Sequence, residues 1–130
     1  MDKNLVQYYA KRAKEYERIY EKPERQTDIS KIIEWLNTEL ADRDILEIAC
    51  GTGYWTQYIS ETARSIFAFD INTEVIEIAK SKEYRKQNVS FTIGDIYSLS
   101  NFSKSFTAIF LFSLPRSCVV TERGRSASEE

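Results

Sequence analysis

Three acidic residues stand at corresponding places along the chain: Glu47, Asp70 and Asp95 each lie at or near the end of a short apolar run. After the first of them the chain forms a Gly-x-Gly turn, made by Gly51 and Gly53 and followed by helix-compatible residues. Because glycine has no Cβ, such a turn lets the backbone come close to a ligand. In an open parallel sheet the strand ends face one crevice, so the three acids can converge on a nucleotide-like ligand.

Asp70 has the spacing of a ribose-binding acid. It follows Gly51 by 19 residues, the separation at which an acid at the end of the second strand accepts hydrogen bonds from ribose hydroxyls. Taken alone, an aspartate in such a position is more often a helix cap or a turn residue. Three acids in phase with one Gly-x-Gly turn favour a ligand site over three separate caps.

The residues of the turn distinguish between two nucleotide ligands. A dinucleotide fingerprint has a third glycine three positions after the second, and Thr56 occupies that position here. Glu47 would repel the pyrophosphate of a dinucleotide, whereas it would attract a ligand that carries ammonium and sulfonium groups. The pattern favours S-adenosylmethionine, and a NAD-dependent oxidoreductase is the weaker alternative.

The composition limits both the chemistry and the partners. The chain of 130 residues contains no histidine, so the commonest general base near neutral pH and the commonest zinc ligand are missing. Cys50 and Cys118 are far apart in sequence, and we assign no metal site and no catalytic residue. A net charge of −2 gives no reason to expect a nucleic acid or an anionic membrane as partner. With no bilayer-length apolar run and no export signal, the cytoplasm is the expected location.

Strand-like and helical segments alternate from residue 45 onwards, which predicts parallel strands joined by right-handed crossovers. The predicted class is α/β, an open parallel sheet of about four strands flanked by helices. Thr27 or Asp28 is the expected N-cap of the second helix, and Thr73 that of the fourth. The predicted helices cover 4–20, 27–40, 54–63 and a segment that begins at Thr73. The predicted strands cover 45–49, 65–70, 89–94 and 106–111.

The chain changes character after Leu114. Residues 115–130 are rich in Ser, Arg and Glu and show no sustained period, which is typical of a disordered tail. We therefore predict one domain over 1–114 and a disordered tail over 115–130.

Three motifs in the order and spacing of a known family run through this domain. They are LEIACGTGYWT at 46–56, FDIN at 69–72 and GDIYSL at 94–99. They resemble motifs I, II and III of class I S-adenosylmethionine-dependent methyltransferases, a family with a Rossmann-like sheet. Within that family the sequence is most similar to the small-molecule type called methyltransferase type 11 or 25. The resemblance covers roughly residues 5–112.

The resemblance implies a set of cofactor contacts. Asp70 would bind the ribose hydroxyls and Asp95 the adenine amino group, with Ile71 and Ile96 against the adenine ring. The residues implied around the methionine part of the cofactor are Glu47, Ala49, Gly51 and Gly53, and Thr52 of the same motif is a further implied cofactor contact.

The N-terminal sequence YYAKRAKEY at 8–16 resembles the helix that closes over the cofactor in this type of methyltransferase. Residues 1–40 would then form a helical lid on the domain. The resemblance implies that Tyr9, Arg12 and Tyr16 contact the carboxylate end of the cofactor. The alternative is that these tyrosines pack against the sheet with their hydroxyls at its rim.

The chain departs from the family pattern beyond the third motif. Family members have a seven-stranded sheet, of which this sequence supplies about four strands, in the family order 3-2-1-4. No acid stands near Thr107, where the family has one. We therefore predict a chain truncated after its fourth strand, with residues 108–112 as an exposed apolar edge that favours self-association.

The predicted function is the transfer of a methyl group from S-adenosylmethionine to a small-molecule acceptor. The alternative is a catalytically incomplete fragment that binds S-adenosylmethionine without turnover.

Overall fold

The computed structural model describes residues 3–95, 106–113 and 117–122. Its centre is a five-stranded sheet in the order β3-β2-β1-β4-β5, of which the first four strands are parallel and β5 is antiparallel to β4. The strands are β1 Asp44–Ile48, β2 Ser65–Asp70, β3 Val89–Ile93, β4 Ala108–Ser113 and β5 Ser117–Glu122. The predicted α/β class and the order 3-2-1-4 are confirmed, and one strand is added to them.

Four α-helices accompany the sheet. They are α1 Lys3–Tyr16, α2 Gln26–Glu39, α3 Tyr54–Ile59 and α4 Thr73–Ser81. Two short 3-10 helices, Arg18–Glu21 and Pro23–Arg25, join α1 to α2. The predicted first helix therefore continues past Tyr16 only as a tighter 3-10 turn. No helix within the described residues has both the length and the apolar character needed to cross a bilayer.

The two predicted helix caps are wrong. Helix α2 begins at Gln26 after Arg25, without a side-chain cap. The 3-10 turn Pro23–Arg25 leads directly into α2, and the Gln26 backbone N–H donates to the Pro23 carbonyl, so this N–H is satisfied without a side-chain cap. Helix α4 is capped by Asn72, not Thr73, because the amide oxygen of Asn72 accepts hydrogen bonds from the next backbone N–H groups.

The prediction of a disordered tail is wrong for residues 117–122. Strand β5 pairs along the whole of β4, from Ser113 opposite Ser117 to Ala108 opposite Glu122. An unpaired strand edge presents free backbone N–H and C=O groups, and the hairpin satisfies them within the chain. The prediction of self-association through an exposed fourth strand loses its basis, since β4 lies between β1 and β5.

Side chains alternate between the two faces of the sheet and form two apolar clusters. The larger cluster joins Ile45 and Ile66 to α2 through Leu36, and Phe110 of β4 belongs to it. The smaller cluster lies on the other face and contains Leu46, Phe67 and Phe69. Glu47 is buried within this sheet, one position after the apolar Leu46. The short segment expected at 96–102 lies outside the described residues.

Candidate functional site

The glycine turn between β1 and α3 borders a small cavity of about 160 Å³ at the carboxyl edge of the sheet. The turn supplies one wall, and the end of α1 and the 3-10 helix that follows it supply another. The main lining residues are Glu47, Ala49, Gly51, Thr52, Tyr16 and Tyr20. Four of the five cofactor contacts that the resemblance implies in the first motif therefore surround one cavity, together with Tyr16 of α1.

Glu47 is the most deeply buried acid of the site. Its side chain projects from β1 and is 2% exposed, and the Thr56 hydroxyl donates a hydrogen bond to its Oε1 at 2.6 Å. Burial raises the pKa of the Glu47 carboxyl to about 8, while the hydrogen bond from Thr56 lowers it. A positive charge in the cavity would stabilise the carboxylate form, so this residue favours a cationic ligand.

The turn has a left-handed backbone at three positions, of which only the non-glycine Ala49 is strained. Ala49, Gly51 and Gly53 all have positive φ, at 55°, 58° and 82°. A Cβ on Gly53 would lie 2.6 Å from the Tyr84 hydroxyl and 3.2 Å from the Cβ of Ala79. A Cβ on Gly51 would have nothing within 4 Å. Gly53 is therefore needed for close packing on α4, whereas Gly51 leaves open space beside the cavity.

Asp70 holds the turn from the neighbouring strand. Its Oδ2 accepts a hydrogen bond from the Gly51 backbone N–H at 2.9 Å, and its Oδ1 accepts one from the Asn72 N–H at 2.9 Å. Each carboxylate oxygen has two lone pairs, so the carboxylate can accept further hydrogen bonds. The structural and the ligand-binding interpretations of this residue are compatible.

The region beside Asp70 presents apolar surface. Ile71 is 70% exposed, directly after β2. Ile93, which the sequence analysis missed, is 47% exposed and is paired with Asp70 in the sheet register. Asp95 follows two residues later and is exposed, and Ile96 lies outside the described residues. Its position at the end of the predicted third strand, beside the strand that ends at Asp70, is the sequence feature that could have indicated Ile93 as a site residue.

Two of the three residues predicted in the helical lid, Arg12 and Tyr16, contact α4. Arg12 donates to the Glu74 carboxylate from Nε and Nη2, at 3.1 and 2.9 Å, and the Tyr16 hydroxyl donates to it at 2.7 Å. Tyr9 is half-buried and meets the ring of Tyr8 edge-on. Of the three residues expected at the carboxylate end of the cofactor, Tyr16 lines the cavity. Arg12 contacts the Glu74 carboxylate and, through Nη1, the Glu15 carboxylate on its own helix.

A second polar cluster joins the chain after α1 to the glycine turn. The Thr52 hydroxyl donates to Glu17 Oε2 at 2.5 Å, and the Lys82 ammonium forms an ion pair with the same carboxylate. Glu17 and Lys82 are 14% and 13% exposed in this pair. Glu17 was not predicted from the sequence, because its partners are separated from it by 35 and 65 residues and no local pattern connects them.

Aromatic rings surround the cavity on the side of α3. Tyr20 stacks on Tyr54 at 4.1 Å between ring centroids, and Trp55 meets Tyr20 edge-on at 5.5 Å. Trp55 is 5% exposed and belongs to the main core cluster. Within the described residues, no group of three or more His, Cys, Asp or Glu side chains is arranged to hold a metal ion.

Residues 45–127 match the family described as a methyltransferase domain. The match extends beyond residue 112, where the motif resemblance ended, and includes β5. Among curated proteins, the chain is 39% identical over 74 residues to malonyl-[acyl-carrier protein] O-methyltransferase of Priestia megaterium. It is 29% identical over 85 residues to ribosomal RNA small subunit methyltransferase A of Mesomycoplasma hyopneumoniae. These alignments cover 54% and 65% of this chain, but only 27% and 31% of the relatives.

Among solved structures, the DhpI-SAH complex is similar to this chain, with a TM-score of 0.62 and 30% identity. The superposition covers 82% of this chain and 50% of the DhpI chain. The chain thus spans about half the length of a protein with the same fold, and less than a third of the two curated relatives.

Proposed function

The chain belongs to the S-adenosylmethionine-dependent methyltransferase family, and from this premise we propose that its glycine-turn cavity binds S-adenosylmethionine for methyl transfer to an acceptor. The observation that carries the proposal is the buried Glu47 carboxyl beside the Gly51–Gly53 turn, with Asp70 bonded to that turn from the next strand. A cofactor with an ammonium and a sulfonium group matches this arrangement, and a pyrophosphate does not.

The cavity is too small to enclose the whole cofactor, so we propose that only one part of the cofactor enters it. Pockets that enclose a drug-sized ligand usually measure about 300 Å³ or more, and this cavity measures about 160 Å³. It therefore suits the methionine part, with Glu47 near the positive charges. The adenosine part would lie along the open edge, with the ribose at Asp70 and the adenine between Ile71 and Asp95.

S-adenosylmethionine, when bound, supplies a methyl group attached to a positively charged sulfur. The role of this chain is to hold that group in one orientation and to exclude water, because methyl transfer depends largely on proximity and alignment. Glu47 would orient the charged end, and Asp70 would fix both the ribose and the backbone of the turn. No catalytic residue is assigned to the acceptor side.

We propose a small-molecule acceptor. The net charge of −2 supports this choice, because proteins that bind RNA usually carry a basic surface. Five cationic side chains in the part of the chain that the structure describes already form ion pairs: Arg12, Arg64, Lys80, Lys82 and Arg85. Since one relative is named as a ribosomal RNA methyltransferase, RNA belongs in the test.

Isothermal titration of the chain with S-adenosylmethionine, S-adenosylhomocysteine and NAD tests the cofactor. We expect binding of both sulfur nucleotides, a large loss of affinity in Glu47→Gln and little change in Glu34→Gln, an exposed position on α2. NAD binding without a response to the sulfur nucleotides would contradict the proposal.

Turnover is tested separately, by release of S-adenosylhomocysteine with a panel of small amines, acids and thiols and with ribosomal RNA. Turnover with a small acceptor supports the proposed acceptor class, and turnover only with RNA contradicts it. Binding without any turnover would identify the chain as a cofactor-binding fragment.

A further inference from the structure

Helix α1 lies over the cofactor cavity without being part of the core. Its side chains from Asn4 to Tyr16 are half-buried or exposed, and none of them is buried. Leu5, Val6 and Tyr8 are each 40% exposed or more. The helix packs along α4. Segments with little buried apolar area open at low free energy. The polar contacts between α1 and α4 must therefore supply much of the free energy that keeps α1 in place.

These contacts converge on one carboxylate. Glu74, in the first turn of α4, accepts four hydrogen bonds from three side chains of α1. Tyr8 and Arg12 donate to Oε2, and Arg12 and Tyr16 donate to Oε1. The donors come from successive turns of one face of α1, so Glu74 fixes both the position and the rotation of that helix. The two Arg12 contacts are bidentate, which is the strong geometry for this pair.

The charge of Glu74 is part of this arrangement. The Arg12 guanidinium, followed by the Tyr16 hydroxyl, lowers the pKa of the Glu74 carboxyl to about 2. The carboxylate is therefore ionised throughout the physiological range. Its side chain is 33% exposed and that of Arg12 is 32% exposed, so water can replace these contacts when the helix moves.

The other end of α1 is fixed differently. Glu17, directly after the helix, holds Thr52 of the glycine turn and Lys82 beyond the end of α4. These side chains are much less exposed than the Glu74 cluster. The helix is thus anchored beside the glycine turn at Glu17 and held along its length at Glu74.

We propose that Glu74 is a positioning residue of the cofactor site, which holds α1 closed over the cavity and keeps Tyr16 at the cavity wall. Release of the Glu74 contacts lets α1 open about its Glu17 end, and Glu74 thereby sets how fast the cofactor leaves. This inference rests on the proposed binding of S-adenosylmethionine.

The test compares Glu74→Ala with Glu77→Ala. Glu77 lies on the same helix, and its ion pair is with Lys80 of α4 itself, so the control removes an equal charge without touching α1. We expect S-adenosylhomocysteine to dissociate roughly three to ten times faster from Glu74→Ala, as the loss of several charge-assisted hydrogen bonds predicts. The Glu77→Ala rate should equal that of the unmodified chain.

Two readouts separate positioning from a general loss of stability. Hydrogen exchange of the ligand-free protein should become faster in α1 of Glu74→Ala, while the exchange in β1 and β2 stays unchanged. In a double-mutant cycle with Tyr16→Phe, which keeps the ring but removes its hydroxyl, the two effects on dissociation should be less than multiplicative.

Equal dissociation rates for Glu74→Ala and Glu77→Ala would overturn the inference, as would unchanged exchange in α1. Slower dissociation from Glu74→Ala would also overturn it, since that result means that Glu74 competes with the cofactor for Arg12. If the unmodified chain binds no S-adenosylhomocysteine, the proposed function fails, whereas the exchange experiment still shows whether Glu74 holds α1.

Discussion

Two regions enclose the glycine-turn cavity, and they are stabilised in different ways. The glycine turn directly follows β1, an inner strand of the sheet, and its neighbours Glu47, Thr56 and Trp55 are all buried. Helix α1 has no buried side chain from Asn4 onwards and is held by hydrogen bonds to Glu74. The first region depends on packing, and the second on polar contacts that water can replace.

This contrast shows how one small domain can combine a rigid wall of a binding cavity with a second wall that can open. A non-glycine residue with positive φ, such as Ala49 in this turn, persists only where its surroundings hold it in place, and the core around β1 and β2 does so. Entry and release of a ligand need a part that moves at low free energy. In this chain that part contributes Tyr16 to the cavity and stands outside the core.

The most direct way to break the comparison is to truncate the same residue type in each region. Leu36 of α2 is fully buried, whereas Leu5 of α1 is 40% exposed. We expect Leu36→Ala to lower the free energy of unfolding by about 4 kcal/mol, because it leaves a cavity in the core. Leu5→Ala should change it by about 0.5 kcal/mol or less.

Urea denaturation monitored by circular dichroism measures both values. If Leu5→Ala is as destabilising as Leu36→Ala, α1 belongs to the cooperative core, and the division into two regions is wrong.

The second prediction uses the opposite pKa shifts of the two regions. Burial raises the pKa of Glu47 from 4.5 to about 8, so the folded state binds a proton that the unfolded state has released between these pH values. The stability of the unmodified chain should therefore fall as the pH rises from 5 to 8, with a total loss at this site of about 3 kcal/mol. Glu74 acts with the opposite sign, because its lowered pKa stabilises the fold above about pH 4.5 and loses this effect as the pH falls.

Glu47→Gln isolates the contribution of Glu47 to the pH dependence of stability, because the amide can still accept the Thr56 hydrogen bond but does not titrate. The difference in unfolding free energy between the variant and the unmodified chain should grow with pH in favour of the variant. A difference that is constant between pH 5 and pH 8 would show that Glu47 is not held in a desolvating site.

The sequence predicted the buried region well because its signals are local. Strand β2 was predicted with its observed bounds. The acids at the ends of β1 and β2 follow from the alternation of strands and helices, as does the parallel order of the first four strands.

The missed features depend on distant partners. The segment at 117–122 looked like a tail by composition and becomes a strand only because β4 offers it an edge. Glu74 and Arg12 are 62 residues apart, so periodicity could place Arg12 on a helix face but could not show what that face meets.

The third prediction compares the two glycines of the turn, Gly53 and Gly51. Gly53→Ala should lower the free energy of unfolding by about 2 kcal/mol, because the new Cβ combines a left-handed backbone with a clash against the Tyr84 hydroxyl and a tight contact with Ala79 of α4. Gly51→Ala has the same backbone problem in open space and should cost about 1 kcal/mol. We expect the reverse order for the affinity of S-adenosylmethionine among folded molecules, since Gly51 lines the cavity. Thermal denaturation and titration calorimetry measure the two orders, and equal stability losses would refute the close packing on α4.

The smallest expected effect concerns Ala49, the non-glycine residue with positive φ in the turn. In the left-handed region a Cβ is unfavourable by about 1 to 2 kcal/mol, and replacement by glycine removes this strain from the folded state. Part of the resulting stabilisation is offset, because glycine also raises the conformational entropy of the unfolded chain. Ala49→Gly should therefore stabilise the fold by about 0.5 to 1 kcal/mol. Ala41→Gly is the control, an exposed turn position outside the set of positive φ angles, and should be neutral or slightly destabilising. Chemical denaturation measures the free energy of unfolding of both variants. If Ala49→Gly destabilises the fold as much as Ala41→Gly, the backbone at Ala49 is not strained, and its positive φ carries no energetic cost.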